Sequence, residues 1–303
     1  MDASYSGIGI GFTHGHDNRL MNCIVYNAQA EGIAITGDHN LLDNCHAYCD
    51  EEIKGQADGT DHYIPICGNR NVIRNCSLER VGPLEHIGHG LGFKGHANHN
   101  LVEHCTAVNL AGGGFYVRWR GVHHNRFVNC RAIGSPDKKT NDATGFLVRE
   151  GAHNNLFESC VADGCEAAVR TLHGGEDTSR IAAKDNTFSN CTSMNSNVVF
   201  DLNSYLDPTP IVVNNRFVSC TIYNADLLLN LARKNEGCTF VNSIIMKVRR
   251  LSIGSEKSNV GFEYTDFFQN GFPAIKGRMN VSCDPHFVEA KKGNFSLKKA
   301  SKC

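Results

Sequence analysis

In five short stretches of the chain, apolar residues alternate with residues of other types. Each stretch begins with glycine or alanine and ends in a polar or cationic side chain. They read GIAIT, GLGFK, GFYVR, GFLVR and AAVR, and they end in Thr36, Lys94, Arg118, Arg149 and Arg170. A lysine that has lost its proton can remove a proton from carbon, and a neighbouring cation favours that neutral amine. Arginine binds carboxylates through two parallel hydrogen bonds. Lys94 beside Arg118 therefore predicts removal of a proton next to a carboxylate, whose developing charge the guanidinium neutralises.

The same pattern predicts that the closing residues form one outward-facing column. The coil between Thr36 and Lys94 is harder to align, and Tyr63 or Pro65 is expected in its slot. Neighbours in such a column are about 4.8 Å apart. Like charges at this distance repel by roughly 3–4 kcal/mol at an effective dielectric constant near 20. Only Glu150 is near in sequence, so the four cations predict a polyanionic ligand along the column.

Other residues near the column complete the predicted site. Gly92 is expected to leave room for a ligand beside Lys94, and Tyr116 and Trp119 offer stacking faces. Tyr116 is the predicted proton donor, with His62, His89 and His123 as alternatives. The predicted ligand-binding residues are Arg149, Arg170, Trp119, Arg120, His89 and His123.

An acidic segment lies one repeat before Lys94. Residues 46–62 read HAYCDEEIKGQADGTDH and contain several carboxylates close to a glycine. Carboxylate oxygens on a glycine-bearing loop suit a hard cation such as Ca²⁺. The predicted calcium ligands are Asp58, Asp61, Asp50 and Glu51.

These stretches must be positioned by a repeat. The pattern Asn-x-apolar-apolar-x-polar-Cys, with one imperfect position allowed, recurs eight times and steps by 22 to 31 residues. Short alternating strands at such a period, separated by Gly, Asn, His and Asp, predict a solenoid without helices. We predict an all-β, single-stranded right-handed parallel β-helix of about ten coils. The copies are NRLMNC, NLLDNC, NVIRNC, NLVEHC, NRFVNC, NLFESC, NTFSNC and NRFVSC, which begin at Asn18, Asn40, Asn71, Asn100, Asn125, Asn155, Asn186 and Asn215.

In a β-helix the repeated residues stack in register. The asparagines are expected to form an internal ladder, and the cysteines are expected to line the core as buried thiols rather than disulfides, because stacked positions have poor disulfide geometry. The histidines in His-Asn pairs, such as His39, His99 and His124, are expected to serve in turns.

Composition limits the functional classes. The formal net charge of 303 residues is −1, so no overall field favours nucleic acid or membrane surfaces, and no apolar run is long enough to span a bilayer. One domain is expected over residues 1–303, with regular coils over about 3–245 and irregular coils over about 246–303. The chain opens without a signal peptide or a visible cap, so a capping segment is expected upstream.

The combination of GxGFK, an NxxxxC coil and D-G-x-D one coil earlier resembles the family 9 pectate lyases, over roughly residues 40–130. These are Ca²⁺-dependent right-handed β-helix enzymes, and the resemblance implies a secreted, periplasmic or cell-surface location. The resemblance implies that Lys94 is the base and that Asp58 and Asp61 bind Ca²⁺, although Ala57 stands where the family has its first aspartate. The pair Lys94 and Arg118 also resembles the arrangement in family 6 alginate and dermatan lyases.

We therefore predict a polysaccharide lyase that cleaves a uronate-containing polymer by β-elimination. Three alternatives stay open at this stage. A uronate C5-epimerase removes the same proton, a hydrolase on the same scaffold would use paired aspartates, and a non-catalytic β-helix would only bind carbohydrate. Gly88-His89-Gly90 resembles a hydrolase motif, but the chain has no QDD partner for it.

Overall fold

The computed structural model describes most of the chain. The described ranges are 8–12, 14–28, 30–50, 62–81, 88–135, 142–172, 181–202, 211–231, 235–254 and 259–301. Within them the structure consists of β-strands and a single short 3-10 helix at Ala290–Lys292. No helix in these ranges has the length and apolar character needed to cross a bilayer.

The strands are short, mostly three to six residues, and are numbered in chain order. The first half contains β1 (Ile8–Phe12), β2 (Arg19–Met21), β3 (Ile24–Tyr26), β4 (Glu31–Ile35), β5 (Leu41–Asp43), β6 (His46–Cys49), β7 (His62–Ile66), β8 (Val72–Arg74), β9 (Ser77–Arg80), β10 (His89–Phe93), β11 (Leu101–Glu103), β12 (Thr106–Val108), β13 (Phe115–Arg118), β14 (Arg126–Val128), β15 (Arg131–Ile133), β16 (Thr144–Arg149) and β17 (Ala152–His153). The second half contains β18 (Leu156–Glu158), β19 (Val161–Asp163), β20 (Ala167–Leu172), β21 (Ile181–Lys184), β22 (Thr187–Ser189), β23 (Thr192–Met194), β24 (Val198–Asp201), β25 (Ile211–Val213), β26 (Arg216–Val218), β27 (Thr221–Leu231), β28 (Asn235–Glu236), β29 (Cys238–Val241), β30 (Ile244–Gly254), β31 (Val260–Glu263), β32 (Asp266–Phe268), β33 (Phe287–Glu289) and β34 (Asn294–Leu297).

Each coil contributes three strands, and four coils add a short fourth one, β17, β21, β25 or β28. Equivalent strands of successive coils pair in parallel, whereas β33 and β34 form an antiparallel hairpin. The second strands form one ten-stranded sheet, from β2 and β5 through to β31, which defines ten coils. The first strands include β4, β7, β10, β13, β16, β20 and β24, and we call their outward surface the first-strand face. β27 and β30 are eleven residues long and run from the third strand of one coil into the first strand of the next. The predicted parallel β-helix is confirmed.

The asparagine ladder explains why the motif begins with Asn. In every coil from Asn18 to Asn186 the backbone N–H donates to the side-chain oxygen of the asparagine one coil later, at 2.8–3.1 Å. The amide groups also donate to backbone carbonyls of the turn, as Asn125 Nδ2 does to Ala97 O at 3.0 Å. The ladder satisfies buried polar groups that no water can reach, and so it holds successive coils at a fixed register.

Two left-handed turn positions account for the other polar residues of the motif. The residue before each motif cysteine has a positive φ, as at Asn44 (54°), His104 (54°) and Ser159 (52°). The residue before the ladder asparagine does too, including His39, His99 and His124, which confirms their role in turns. Asn, Asp and His tolerate this backbone conformation better than most residues, so the turn chemistry selects them.

Apolar side chains stack along the core in the same register. Phe127, Phe157, Phe188, Phe217 and Phe240 form a column with ring centroids 4.4–5.0 Å apart. All eight motif cysteines are free, which confirms the prediction of thiols. Their Sγ atoms donate to backbone carbonyls, as Cys160 does to Phe127 O at 3.4 Å. Cys283, outside the repeat, is disulfide-bonded.

The ladder predicts a large effect for a single amide. Asn125→Ala removes the acceptor for both the N–H and the amide of Asn100. Leaving these donors buried and unpaired should lower the free energy of unfolding by about 2–4 kcal/mol, measured by chemical denaturation. Asn129→Gly, at an exposed left-handed turn position of the same coil, should change it by less than about 0.5 kcal/mol. Equal effects of the two substitutions would show that the ladder does not hold the coils together.

Candidate functional site

The first-strand face brings three of the predicted site residues into one column. Arg118 lies opposite Arg149, and the pairing of Phe93 with Val117 puts Lys94 opposite Arg118. The preceding position of the column is Cys67, because Ile66 lies opposite both Ile35 and Phe93. The expectation that Tyr63 or Pro65 would fill this slot is therefore wrong.

Arg170 is not in this column, which corrects the sequence-based alignment. It lies opposite Leu147, whereas the residue opposite Arg149 is Leu172. β20 continues for two residues beyond Arg170, and Ala167 and Ala168 replace the Thr-Gly start of β16. Without that glycine, the sequence AAVR does not show where the strand begins. The predicted register of β20 is therefore wrong by two residues.

Every predicted cation has a carboxylate partner. Lys94 Nζ lies 3.3 Å from Glu31 Oε1, and Arg170 Nε lies 2.8 Å from Asp201 Oδ2. The expected row of unpaired charges is therefore wrong. Glu31 and Asp201 come from other coils of the face, and linear sequence does not show that they will meet Lys94 and Arg170.

Glu150 serves two arginines at once. Its side chain is fully buried, and it accepts a hydrogen bond from Arg118 Nε at 2.6 Å and others from Arg149 Nε and Nη2 at 3.1 and 2.5 Å. The Arg118 guanidinium also lies 4.6 Å from the centre of the Trp119 ring, within cation–π range. The two guanidinium groups therefore contact the same buried carboxylate.

Tyr116 fills the space that Gly92 was expected to offer a ligand. A Cβ at Gly92 would lie 2.4–2.5 Å from atoms of the Tyr116 ring, which leans back over the glycine. The ring centre lies 5.8 Å from that of His62 and 5.5 Å from that of His89, and only 1% of Tyr116 is exposed. The expected vacancy beside Lys94 is therefore wrong, and Tyr116 supports the histidines instead of facing solvent.

Glu31, His62 and His89 form a second column on the same face. Glu31 lies opposite His62, and His62 lies opposite His89, on three successive coils. The two imidazole centres are 4.7 Å apart. His89 Nδ1 lies 2.7 Å from Gly112 O. A carbonyl oxygen only accepts, so Nδ1 carries the proton and Nε2 is the basic nitrogen of the neutral ring.

These two columns are linked by the Lys94–Glu31 ion pair. The Lys94 side chain is 15% exposed and the Glu31 side chain 26%, so both reach solvent at the surface of the face. Burial raises the pKa of the nearby Cys67 thiol, although Lys94 opposes this shift by favouring the thiolate. Sequence reasoning missed Glu31 and Cys67 because neither belongs to a motif; only the register between coils reveals them.

Of the other predicted ligand-binding residues, Trp119 borders the column through Arg118, whereas His123 lies elsewhere. His123 packs with His99, His124 and His153 on the turn before the second strand, not with His89. Burial and then the neighbouring histidines lower its pKa, since each disfavours the imidazolium. Trp119 is in the turn after β13, with φ 81°, and Arg120 is exposed beside it.

The predicted calcium ligands cannot all be located. Asp58, Asp61 and Glu51 lie outside the described residues. Asp50 is described, and its Oδ1 accepts a hydrogen bond from Asn27 Nδ2 at 2.8 Å. Among the residues with described positions, no group of three or more His, Cys, Asp or Glu side chains is arranged to hold a metal ion. Calcium binding at 50–61 stays a prediction.

Comparison with known proteins identifies the fold. Residues 3–137 match the family described as "right handed beta helix region". The chain is a right-handed parallel β-helix. No curated protein sequence matches it.

Two similar structures span most of this β-helix. The tailspike protein of E. coli bacteriophage HK620, solved with a pentasaccharide, is 13% identical with a TM-score of 0.56, over 89% of this chain and 50% of its own. The catalytic domain of a GH87 α-1,3-glucanase, solved with nigerose, is 12% identical with a TM-score of 0.51. The match covers 99% of this chain and 62% of the glucanase chain. The chain thus spans about half the length of the tailspike. Such identities show the fold alone, so the resemblances to family 9 and family 6 lyases stay predictions.

The shared carboxylate gives a test of the face. Glu150→Gln should lower the free energy of unfolding by about 3 kcal/mol, because it removes the buried negative charge that two largely buried guanidinium groups contact. Glu158→Gln is the matched control, since Glu158 pairs with Arg126 at an exposed site. It should cost less than about 1 kcal/mol. A loss at Glu150 no larger than at Glu158 would contradict the assigned ion pairs.

Proposed function

We propose that the chain acts on a uronate-containing polysaccharide as a lyase, at the first-strand face of the coils that carry β4, β7, β10 and β13. The observation that carries the proposal is the convergence of Glu31, His62 and His89 in one column, with Lys94 reaching Glu31 across the face. The cluster combines groups able to take up and release protons near neutral pH with a fixed positive charge.

The charge distribution favours an acidic ligand. Arg118 and Arg149 both contact Glu150, and Lys94 precedes them in the same column. A sugar carboxylate bound between Lys94 and Arg118 would contact two cationic side chains. Coils repeat at about 4.8 Å, so an extended polymer along the axis would meet successive positions of the face.

The reaction needs a base, an acid and a counter-charge. His89 would take the C5 proton through Nε2, because Nδ1 is held by Gly112 O. The electron pair would form the C4–C5 double bond as the C4–O bond breaks. His62, one coil away, would give a proton to the departing oxygen. The Lys94 ammonium would neutralise the charge that spreads into the C6 carboxylate.

Lys94 was predicted from the sequence to be the base, and that role stays an alternative within the same reaction. Lys94 Nζ lies 3.3 Å from Glu31 Oε1, so a base role requires that the substrate displace Glu31. Calcium bound by residues of 50–61 would add a further counter-charge, but no step above depends on it.

The fold is compatible with carbohydrate binding. The tailspike was solved with a pentasaccharide and the glucanase with nigerose. Hydrolysis by a carboxylate pair is less well supported by the geometry. On the described part of the first-strand face, Glu31, Glu150 and Asp201 are each held by a cation.

A screen of acidic polymers tests the proposal. Pectate, alginate and glycosaminoglycans are incubated with the protein, with and without chelator, and ultraviolet absorbance of unsaturated uronate is followed. We expect absorbance to rise with at least one polymer. New reducing ends without a rise in absorbance would indicate a hydrolase. Inversion of the C5 configuration without chain cleavage would indicate an epimerase. A polymer that stays bound and unchanged would indicate a non-catalytic binding protein. Each of these would overturn the lyase.

Lys94→Arg separates the two roles of Lys94. Arginine keeps the positive charge and cannot act as a base. If Lys94 supplies only a positive charge, kcat of Lys94→Arg should fall by about tenfold or less. If Lys94 is the base, kcat should fall by about 10²–10⁴-fold. Lys184→Arg, on a different sheet, is the control and should leave kcat unchanged.

His89→Gln tests the proposed base. We expect kcat to fall by about 10²–10⁴-fold while the melting temperature changes little, since Gln can also donate to Gly112 O. His39→Asn is the matched control, because Asn suits its left-handed backbone and should leave activity intact. Full activity in His89→Gln would remove His89 from the mechanism.

A further inference from the structure

Two adjoining cavities lie at the C-terminal end of the β-helix, far from the first-strand cluster. One, of about 470 Å³, lies between the segment Asp284 to Lys298, which includes the β33–β34 hairpin, and the side chains of Tyr223, Met246 and Lys247. The other, of about 500 Å³, is lined by the turn residues that follow β23 and by residues of β27 and β30. Lys247 lines both cavities. It is about 25 Å from Lys94 along the axis at 4.8 Å per coil.

The first cavity carries unbalanced positive charge. The lining contains four lysines and two carboxylates; Lys292 pairs with Glu289 at 2.8 Å, and Asp284 Oδ2 lies 3.6 Å from His286 Nδ1. Lys247, Lys291 and Lys298 also line the cavity, and none of them forms an ion pair with a residue in the described ranges. This contrasts with the first-strand face, where each predicted cation has a carboxylate partner. A ligand with negative charge would complement the three lysines.

Lys247 also has an unfavourable backbone conformation. The pairing of Met246 with Tyr223, and of Tyr223 with Met194, puts Lys247 in the position that Asn224 and Asn195 occupy in the two preceding coils. All three have left-handed φ, of 58°, 55° and 57°. Asparagine tolerates this conformation far better than lysine. The lysine thus stands, at a cost in strain, where the two cavities meet, and its Nζ lies 3.2 Å from Tyr223 Oη.

The second cavity offers groups that match sugar hydroxyls. Asn195 Nδ2 donates to Asp163 Oδ1 at 3.0 Å, and Asn224 Nδ2 donates to Asn195 Oδ1 at 2.8 Å. A primary amide has two N–H donors and two acceptor lone pairs, so each keeps hydrogen-bonding capacity towards the cavity. Asp226 and Arg249, 3.1 Å apart, add a charged donor and acceptor on the same wall.

We propose that the double cavity is a second, non-catalytic site that binds an acidic oligosaccharide. Sugar hydroxyls bind the amides of Asn195 and Asn224, and a carboxylate or sulfate on a neighbouring sugar binds Lys247, Lys291 and Lys298. Lys247 serves both parts, which explains a lysine in the left-handed position. The site goes beyond the proposed lyase and does not depend on it, because it uses none of the residues of the first-strand cluster.

Calorimetry with defined tetrasaccharides tests this site. The probes are oligogalacturonate, which carries carboxylates, a heparin tetrasaccharide, which also carries sulfates, and neutral maltotetraose, each titrated into the full chain carrying His89→Gln to prevent turnover. We expect at least one acidic probe to bind and the neutral one not to bind at millimolar concentration. Affinity should fall as salt is raised.

Two variants locate the binding. Lys247→Asn should weaken the acidic probe about five- to tenfold, by loss of a charge-assisted contact. It should not lower the melting temperature, because Asn suits the backbone. The double variant Lys291→Asn, Lys298→Asn should weaken it further. Lys276→Asn, an exposed lysine outside both cavities, is the control and should bind as the parent does.

The outcomes separate the two proposals. Binding that survives Lys247→Asn and the double variant but is lost in Lys94→Gln would assign the ligand to the first-strand face and overturn the second site. Equal affinity for neutral and acidic probes, or no binding of either acidic probe at millimolar concentration, would overturn it too. Lyase activity retained in Lys247→Asn would leave the first proposal intact in every case.

Discussion

The spacing between coils is the constraint on which the rest of the structure depends. Parallel hydrogen bonds hold each coil about 4.8 Å from the next, and the buried asparagines lock that spacing because each amide spans two coils. A residue that suits one coil therefore meets a residue of the same position in the next. Phenylalanine columns, thiol columns and left-handed turn positions all result from this one translation, repeated ten times.

The same translation makes charge difficult to place. A cation repeated in register would repel its neighbours, so the structure interrupts the rows with acids from other positions. Glu150 lies in the turn after Arg149, Glu31 in a strand two coils before Lys94, and Asp201 in the coil after Arg170. The result is a face on which each of these cations contacts a carboxylate.

Much of the architecture could be predicted from the sequence because it is written into repeated residues. The environments of Asn100 and Cys105 follow from their motif, because the equivalent residues of every coil pack in the same way. The site is different because it consists of exceptions. Lys94 stood out as a deviation, yet nothing local to it indicated Glu31, which is 63 residues away. The packing of the Tyr116 ring over Gly92 could not be predicted either. A glycine indicates that a neighbouring group approaches closely, but the sequence does not show which group it is. Arg170 was misplaced for a simpler reason: its strand lacked the glycine that marked the others.

The long strands β27 and β30 have a mechanical consequence. Elsewhere a corner separates the third strand of one coil from the first strand of the next and interrupts the pairing between coils. In β27 and β30 the backbone also turns, at Asn224 and Lys247, but the pairing continues on both sides of the turn, from Thr221 and Ile244 to Leu231 and Gly254. Separating these two coils must therefore break one long ladder, whereas coils with an interrupted pairing can separate one short strand at a time.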